Sequence, residues 1–62
     1  MNNRVKEYRT EIGLTQEQLA GKVGVSRQTI ISIEKNKFDP SLSLAFELAS
    51  VLKISIEKLF SR

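Results

Sequence analysis

Apolar residues recur along the chain at helical spacing, in five short segments separated by loops of two to five residues. In the first segment the apolar positions follow the i, i+3, i+7 pattern of one helix face: Val5, Tyr8 and Ile12. Asn2 or Asn3 can cap the start of this helix, and Gly13 can end it by adopting a positive φ. The segment therefore predicts a first amphipathic helix.

The second and third predicted helices lie on either side of Gly24. Thr15 opens the second helix, and Gln18 follows three residues later, so that each side chain can reach the other's backbone N–H. We expect Gly24 to end this helix, Ser26 to cap the next one, and Asn36 to end that helix in the left-handed conformation. The inward positions of the two helices are apolar: Leu19, Ala20, Val23, Ile30 and Ile33.

Pro40 interrupts the helical pattern, and Ser41 behind it can cap a fourth helix. The apolar residues of this helix cover more than one face, so we expect it to be largely buried: Leu42, Leu44, Ala45, Leu48, Ala49 and Leu52. Ser55 can cap a last short turn over residues 56–60. The pattern as a whole predicts an all-α, compact five-helix fold in a single domain spanning residues 1–62.

The size of the chain makes its hydrophobic core small. A chain of 62 residues buries only about 60% of its unfolded surface, and without Cys or His it can form neither a disulfide nor a zinc site. The remaining ways to stabilise it are tight helix packing and association with a second copy. We expect Leu59 and Phe60, on the last turn, to close the core and also to form the dimer interface.

Several classes of protein are disfavoured by composition. No His or Cys is present as a base, nucleophile or metal ligand, and no Gly-rich phosphate loop appears, so we expect no enzyme, no cofactor, no metal and no small-molecule ligand. No apolar run approaches the roughly 18 residues of a membrane span, and the first residues do not resemble a secretory signal. The expectation is a cytoplasmic protein that does not enter membranes.

Basic residues are concentrated in the first 37 positions. Seven Lys and Arg residues face four Glu residues there, whereas the two signs cancel from Phe38 onward, so the whole net charge of +3 lies in residues 1–37. An anionic partner would be attracted to this part of the chain. An ordinary solvated surface explains the charge equally well.

The second and third predicted helices, with the short turn between them, form a helix-turn-helix unit over about residues 16–35. Ala20 is small where the two helices cross, Gly24 supplies the turn geometry, and Val25 is an apolar plug beneath it. Because Ile30 and Ile33 face inward, Arg27 and the residues after it begin an outward side. That is the end of a recognition helix that enters the DNA major groove.

The outward residues have side chains suited to DNA. Arg27 can bind guanine and Gln28 can bind adenine, each through two hydrogen bonds, while Ser32 lies about one turn beyond Gln28. The candidate phosphate contacts are Gln16, Thr29, Lys35, Asn36 and Lys37. Thr29 could alternatively touch a thymine methyl group. A solvated helix face remains the alternative interpretation of Arg27 and Gln28 taken in isolation.

The run TQEQLAGKVGVSRQTIISIEKNK resembles the phage-repressor (Cro-type, xenobiotic-response-element) helix-turn-helix family of small transcriptional regulators. The resemblance implies a repressor-like fold, base and phosphate contacts at the residues above, and an ion pair between Arg9 and Glu34. It also implies a homodimer on a palindromic operator in double-stranded DNA, repressing or activating nearby genes. We expect a repressor.

The sequence departs from the family pattern in two places, at Lys35-Asn36 and at Ile31. Lys35-Asn36 replaces the Asn-Gly that often follows the Glu, and Asn is the best substitute for Gly at positive φ. Ile31 replaces a small or polar residue; we favour a core contact for it over contact with a thymine methyl group. A protein-binding helix-turn-helix module of the antitoxin or anti-repressor type stays open as the alternative function, with an exposed apolar patch near Ile31 or Phe60.

Overall fold

The computed structural model describes residues 2–60 and places five α-helices there. Their bounds are Val5–Glu11 (α1), Gln16–Val23 (α2), Arg27–Glu34 (α3), Leu42–Leu52 (α4) and Ile56–Leu59 (α5). Both α1 and α2 pack against α3 and α4, and α5 packs against α4. The predicted all-α, five-helix fold is confirmed, although residues 1, 61 and 62 of the predicted domain lie outside the described part. Within residues 2–60, no helix combines the length and apolarity needed to cross a bilayer.

The last four helices begin at the hydroxyl residues that the sequence predicts. The Thr15 hydroxyl accepts a hydrogen bond from the Gln18 backbone N–H at 3.0 Å, and the Gln18 side chain accepts one from the Thr15 N–H at 2.9 Å. Ser26, Ser41 and Ser55 each accept a hydrogen bond from the backbone N–H three residues ahead. Capping is a local effect, and for this reason it can be predicted from neighbouring residues alone.

The first helix begins differently from the prediction. Its N-cap residue is Arg4, which makes no side-chain capping bond, so neither Asn2 nor Asn3 occupies the cap position. Asn3 still satisfies a first-turn donor, because its Oδ1 accepts a hydrogen bond from the Val5 N–H at 3.0 Å. The Arg4 N–H donates to the Leu59 carbonyl at 2.8 Å, which ties the start of α1 to α5.

Left-handed residues end three of the helices where the sequence predicts. Gly13, Gly24 and Asn36 have φ values of 83°, 74° and 59°. At each of these ends the following residue donates its N–H back into the last helical turn, as the Val25 N–H does to the Ala20 carbonyl at 3.0 Å. Lys53 ends α4 in the same conformation at φ 57°. The sequence did not predict this, because the residue there is neither Gly nor Asn.

A single apolar core joins all five helices. Its buried members are Val5, Leu19, Ala20, Val23, Ile30, Ile33, Leu48, Ala49, Leu52 and Leu59. Two predicted core residues are instead exposed, Ile12 by 45% and Leu42 by 69%. Ile12 follows the last residue of the short α1, and Leu42 is the first residue of α4.

Candidate nucleic-acid interface

The third helix is anchored by one side and exposes the other. Ile30 and Ile33 have no exposed surface, whereas Arg27 and Gln28 on the first turn are exposed. Ser26 holds this turn, because its Oγ accepts the Thr29 N–H at 3.2 Å and lies 3.0 Å from the Thr29 Oγ1. The two long polar side chains are thus carried by a capped helix start.

The remaining candidate contacts of α3 lie on the same side or just past its end. Gln28, Thr29, Ser32 and Lys37 line one shallow cleft. Lys35 and Asn36, the residues that follow α3, are exposed. The structure therefore brings the predicted base contact at Gln28 together with predicted phosphate contacts, while Arg27 lies beside a second cleft at the start of α2.

Phe38 borders the cleft that contains Gln28, and the sequence analysis assigned it no function. Its side chain is 49% exposed, beside Lys37 and close to Gln28 and Ser32. A large aromatic residue in a short polar loop before Pro40 was the available signal. Periodicity could not assign it, because it belongs to no helix.

Ile31 is half-buried and is not among the residues packed on the described core. The favoured interpretation, that it replaces a polar residue in order to add core contact, is therefore unsupported. Contact between Ile31 and a thymine methyl group stays a prediction.

Glu34, the last residue of α3, joins three parts of the fold. Its Oε2 accepts from the Arg9 Nε at 2.7 Å and its Oε1 from the Arg9 Nη2 at 3.3 Å, and the two side chains are only 11% and 4% exposed. Arg9 also donates through Nη1 to the Leu14 carbonyl at 2.8 Å. This is the ion pair that the family resemblance implies, and it links α1, the loop after α1 and the end of α3.

Gln16 completes the same network. Its Nε2 donates to the Glu34 Oε1 at 3.1 Å, a bond that sequence reasoning missed when it assigned Gln16 to phosphate alone. The amide carries a second hydrogen, so one donor is left at the cleft formed by Arg9, Thr15, Glu17 and Arg27. Glu34 thereby fixes the orientation of a side chain that lies where the first turn of α2 is open to an anion.

Comparison with known proteins gives consistent matches along the chain. The helix-turn-helix family model matches residues 5–59. An uncharacterized HTH-type transcriptional regulator of Methanocaldococcus jannaschii is 58% identical over 60 residues, which are 97% of this chain and 91% of that protein.

Two solved structures have the same fold. The restriction-modification controller protein C.AhdI from Aeromonas hydrophila superposes with a TM-score of 0.84 at 37% identity, covering 92% of this chain and 86% of that one. SinR, the master biofilm regulator from Bacillus subtilis, was crystallised in complex with DNA. That structure superposes with a TM-score of 0.85 at 36% identity, covering 94% of both chains.

The Glu34 network makes a stability prediction. Glu34→Gln keeps the size of the side chain but removes the charge opposite the largely buried Arg9, and we expect a loss of about 1.5–3 kcal/mol in the free energy of unfolding. The measurement is urea denaturation followed by circular dichroism. Glu17→Gln, an exposed residue on α2, is the matched control and should change the stability by less than about 0.5 kcal/mol. Equal effects of the two substitutions would contradict a structural role for the ion pair.

Proposed function

We propose that this chain, which belongs to the helix-turn-helix family, regulates transcription by binding double-stranded DNA at specific sequences. The observation that carries the proposal is the asymmetry of α3. Ile30 and Ile33 anchor one side with no exposed surface, while Arg27 and Gln28 project from the capped first turn. A helix held in this way can enter the major groove with its N-terminal residues against the base edges.

Base readout is assigned to Arg27, Gln28 and Ser32. The guanidinium of Arg27 can donate two parallel hydrogen bonds to guanine, and the amide of Gln28 matches the donor and acceptor of adenine. Ser32 lies one turn farther along the same cleft as Gln28 and would meet the next base pairs. Each good bidentate pair contributes about 1–3 kcal/mol of discrimination against the wrong base.

Phosphate contacts would fix the orientation of the domain on the duplex. Gln16 is the first residue of α2 and Thr29 lies on the first turn of α3. Three more candidates lie just past the end of α3, so phosphate contacts are assigned at both ends of the recognition helix: Lys35, Asn36 and Lys37. The net charge of +3 within residues 1–37 supports an anionic partner for this part of the chain.

An apolar surface on α4 and α5 supports homodimerisation. Leu42 and Phe46, one turn apart on α4, are 69% and 56% exposed, and a groove beside Leu42 is lined by Pro40, Ala45, Ile56 and Phe60. The sequence analysis predicted Leu59 and Phe60 as the dimer interface. The choice of Leu59 is corrected, because its side chain is fully buried within its own chain, whereas Phe60 is half-buried at the groove.

A twofold dimer would place two copies of α3 in successive major grooves about 34 Å apart, which requires a palindromic operator. We propose repression as the mode of regulation, because a dimer seated across a promoter excludes other proteins from the same DNA.

The experiment that tests the proposal is fluorescence anisotropy with a duplex from the protein's own promoter and a scrambled duplex, each at about 50 and 200 mM salt. Tighter binding to the promoter with a steep salt dependence would support a sequence-specific regulator. Equal, weak and salt-insensitive binding to both duplexes would favour the protein-binding module instead.

Gln28→Ala should relax specificity at one base position in each half-site. Because Gln28 is exposed on α3, we expect its removal to leave the stability within about 0.5 kcal/mol and to reduce discrimination at that position by about 1–3 kcal/mol. Anisotropy against a set of duplexes with single base-pair changes measures this. A uniform loss of affinity on every duplex would contradict direct readout by Gln28.

Lys37→Ala should weaken binding to all duplexes about equally, because a lysine on a phosphate releases counterions without reading sequence. The slope of log affinity against log salt concentration should become shallower by about 0.9 for each phosphate contact that is lost. Lys22→Ala removes the same charge from α2, at a cleft shared with Ile12, Val51 and Lys53, and is the matched control. Identical slopes for the two variants would argue against a phosphate contact at Lys37.

Phe46→Glu should weaken dimerisation by at least about tenfold, because it places a charge in the apolar surface that a second copy would bury. Sedimentation equilibrium without DNA measures the dissociation constant. Phe38→Glu makes the same change at another exposed aromatic residue, next to the proposed DNA surface. This control should leave the dissociation constant of the dimer unaltered. A wild-type chain that stays monomeric at every concentration would overturn this part of the proposal.

A further inference from the structure

Two asparagine amides, 33 positions apart in the sequence, meet at the end of the recognition helix. Asn3 precedes α1, and its Oδ1 accepts the Val5 N–H at 3.0 Å. Its Nδ2 donates to the Ile33 carbonyl at 2.8 Å and to the Asn36 Oδ1 at 3.0 Å. Family resemblance and periodicity assign Asn3 no role beyond a possible helix cap.

The orientation of the Asn3 amide is set by two backbone groups. The Val5 N–H can only donate and the Ile33 carbonyl can only accept, so the oxygen of Asn3 must face the first and its nitrogen the second. The second hydrogen on that nitrogen then faces Asn36, which must present its oxygen. The two backbone groups thus determine the orientation of the Asn3 amide, and the Asn3 amide determines that of Asn36.

With its oxygen bonded to Asn3, the amide of Asn36 has its nitrogen on the opposite side from that bond. Asn36 is exposed and lies between Lys35 and Lys37, so its Nδ2 is directed away from the bond to Asn3 and is offered as a donor beside two positive charges. Donors and positive charge together suit a phosphate oxygen. With the amide reversed, the same residue would present an oxygen, which repels a phosphate.

The backbone around Asn36 is already fixed without this bond. The Asn36 N–H donates to the Ile33 carbonyl at 3.0 Å and the Lys37 N–H to the Ser32 carbonyl at 2.9 Å, with Asn36 at φ 59°. The rotation of the Asn36 side chain is the freedom that remains. Because the bond from Asn3 to Asn36 is exposed, water can replace it at little loss in folding stability. Its main consequence is therefore the orientation of the amide before DNA binds.

We propose that Asn3 is a positioning residue for DNA binding, which holds the Asn36 amide with its nitrogen toward a phosphate of the duplex. The inference rests on the proposed function, since it takes Asn36 as a phosphate contact. Pre-orientation favours binding because the amide does not have to be ordered when the complex forms.

The test is Asn3→Asp, which keeps an oxygen for the Val5 N–H but removes the donors to the Ile33 carbonyl and to Asn36. The carboxylate should attract the Asn36 nitrogen and turn its oxygen toward the DNA. Asn2→Asp adds the same charge at the neighbouring exposed residue and is the matched control. We expect Asn3→Asp to weaken binding to the promoter duplex about fivefold more than Asn2→Asp, the factor that corresponds to one hydrogen bond of about 1 kcal/mol.

A double-mutant cycle separates positioning from a general structural effect. Asn36→Gly removes the side chain while tolerating the positive φ, and it should itself weaken binding about fivefold. In this background Asn3→Asp should weaken binding about fivefold less than it does in the wild type, because the added charge and the lost bond to the Ile33 carbonyl act in both backgrounds and cancel in the cycle. Circular dichroism and urea denaturation of each variant check that it is folded under the binding conditions.

Independent effects of Asn3→Asp and Asn36→Gly, or equal effects of Asn3→Asp and Asn2→Asp, would overturn the positioning role while leaving DNA binding by the wild-type chain in place. A wild-type chain that bound neither the promoter duplex nor the scrambled one would overturn the proposed function and this inference with it.

Discussion

The carboxylate of Glu34 is the constraint on which the geometry of this small fold depends. It is the last residue of α3, it is almost fully buried, and it accepts hydrogen bonds from Arg9 on α1 and Gln16 on α2. A buried charge is tolerated only with such partners, and an arrangement of helices that separated them would leave the charge unpaired. The angle between α2 and α3 is therefore held at two places, by the turn at Gly24 and by the bond between Gln16 and Glu34. The turn and the hydrogen bond together therefore determine which way the exposed side of α3 faces.

What could be predicted from the sequence was the part that neighbouring residues decide. Thr15 and Ser26 cap their helices because the partner N–H lies three residues away in either case, and Asn36 ends α3 because its own side chain tolerates a positive φ. The inward face of α3 followed from helical spacing, which places Ile30 and Ile33 on one side. The exposed position of Arg27 and Gln28 then required no further information.

What could not be predicted depends on segments distant in sequence. Leu42 and Leu59 are both leucines at helix ends, yet one is 69% exposed and the other fully buried. Leu59 joins the core because α5 packs against α4. The second role of Gln16 depends on where α3 ends, 18 residues later. The bond between Asn3 and Asn36 depends on the start of α1 passing the end of α3. Helical periodicity describes neighbouring residues only, so it cannot predict contacts between such distant segments.

The fourth helix connects folding stability to the proposed assembly. Leu48 and Leu52 are buried in the core, while Leu42 and Phe46 on the same helix expose apolar surface that residues 2–60 leave uncovered. In a chain with a small core, covering this surface with a second copy would stabilise the folded state by mass action, and binding to DNA would stabilise it further. Folding, dimerisation and DNA binding are then linked equilibria. A change to the buried side of α4 is consequently expected to alter the apparent affinity for DNA, even though α4 lies outside the proposed contact surface.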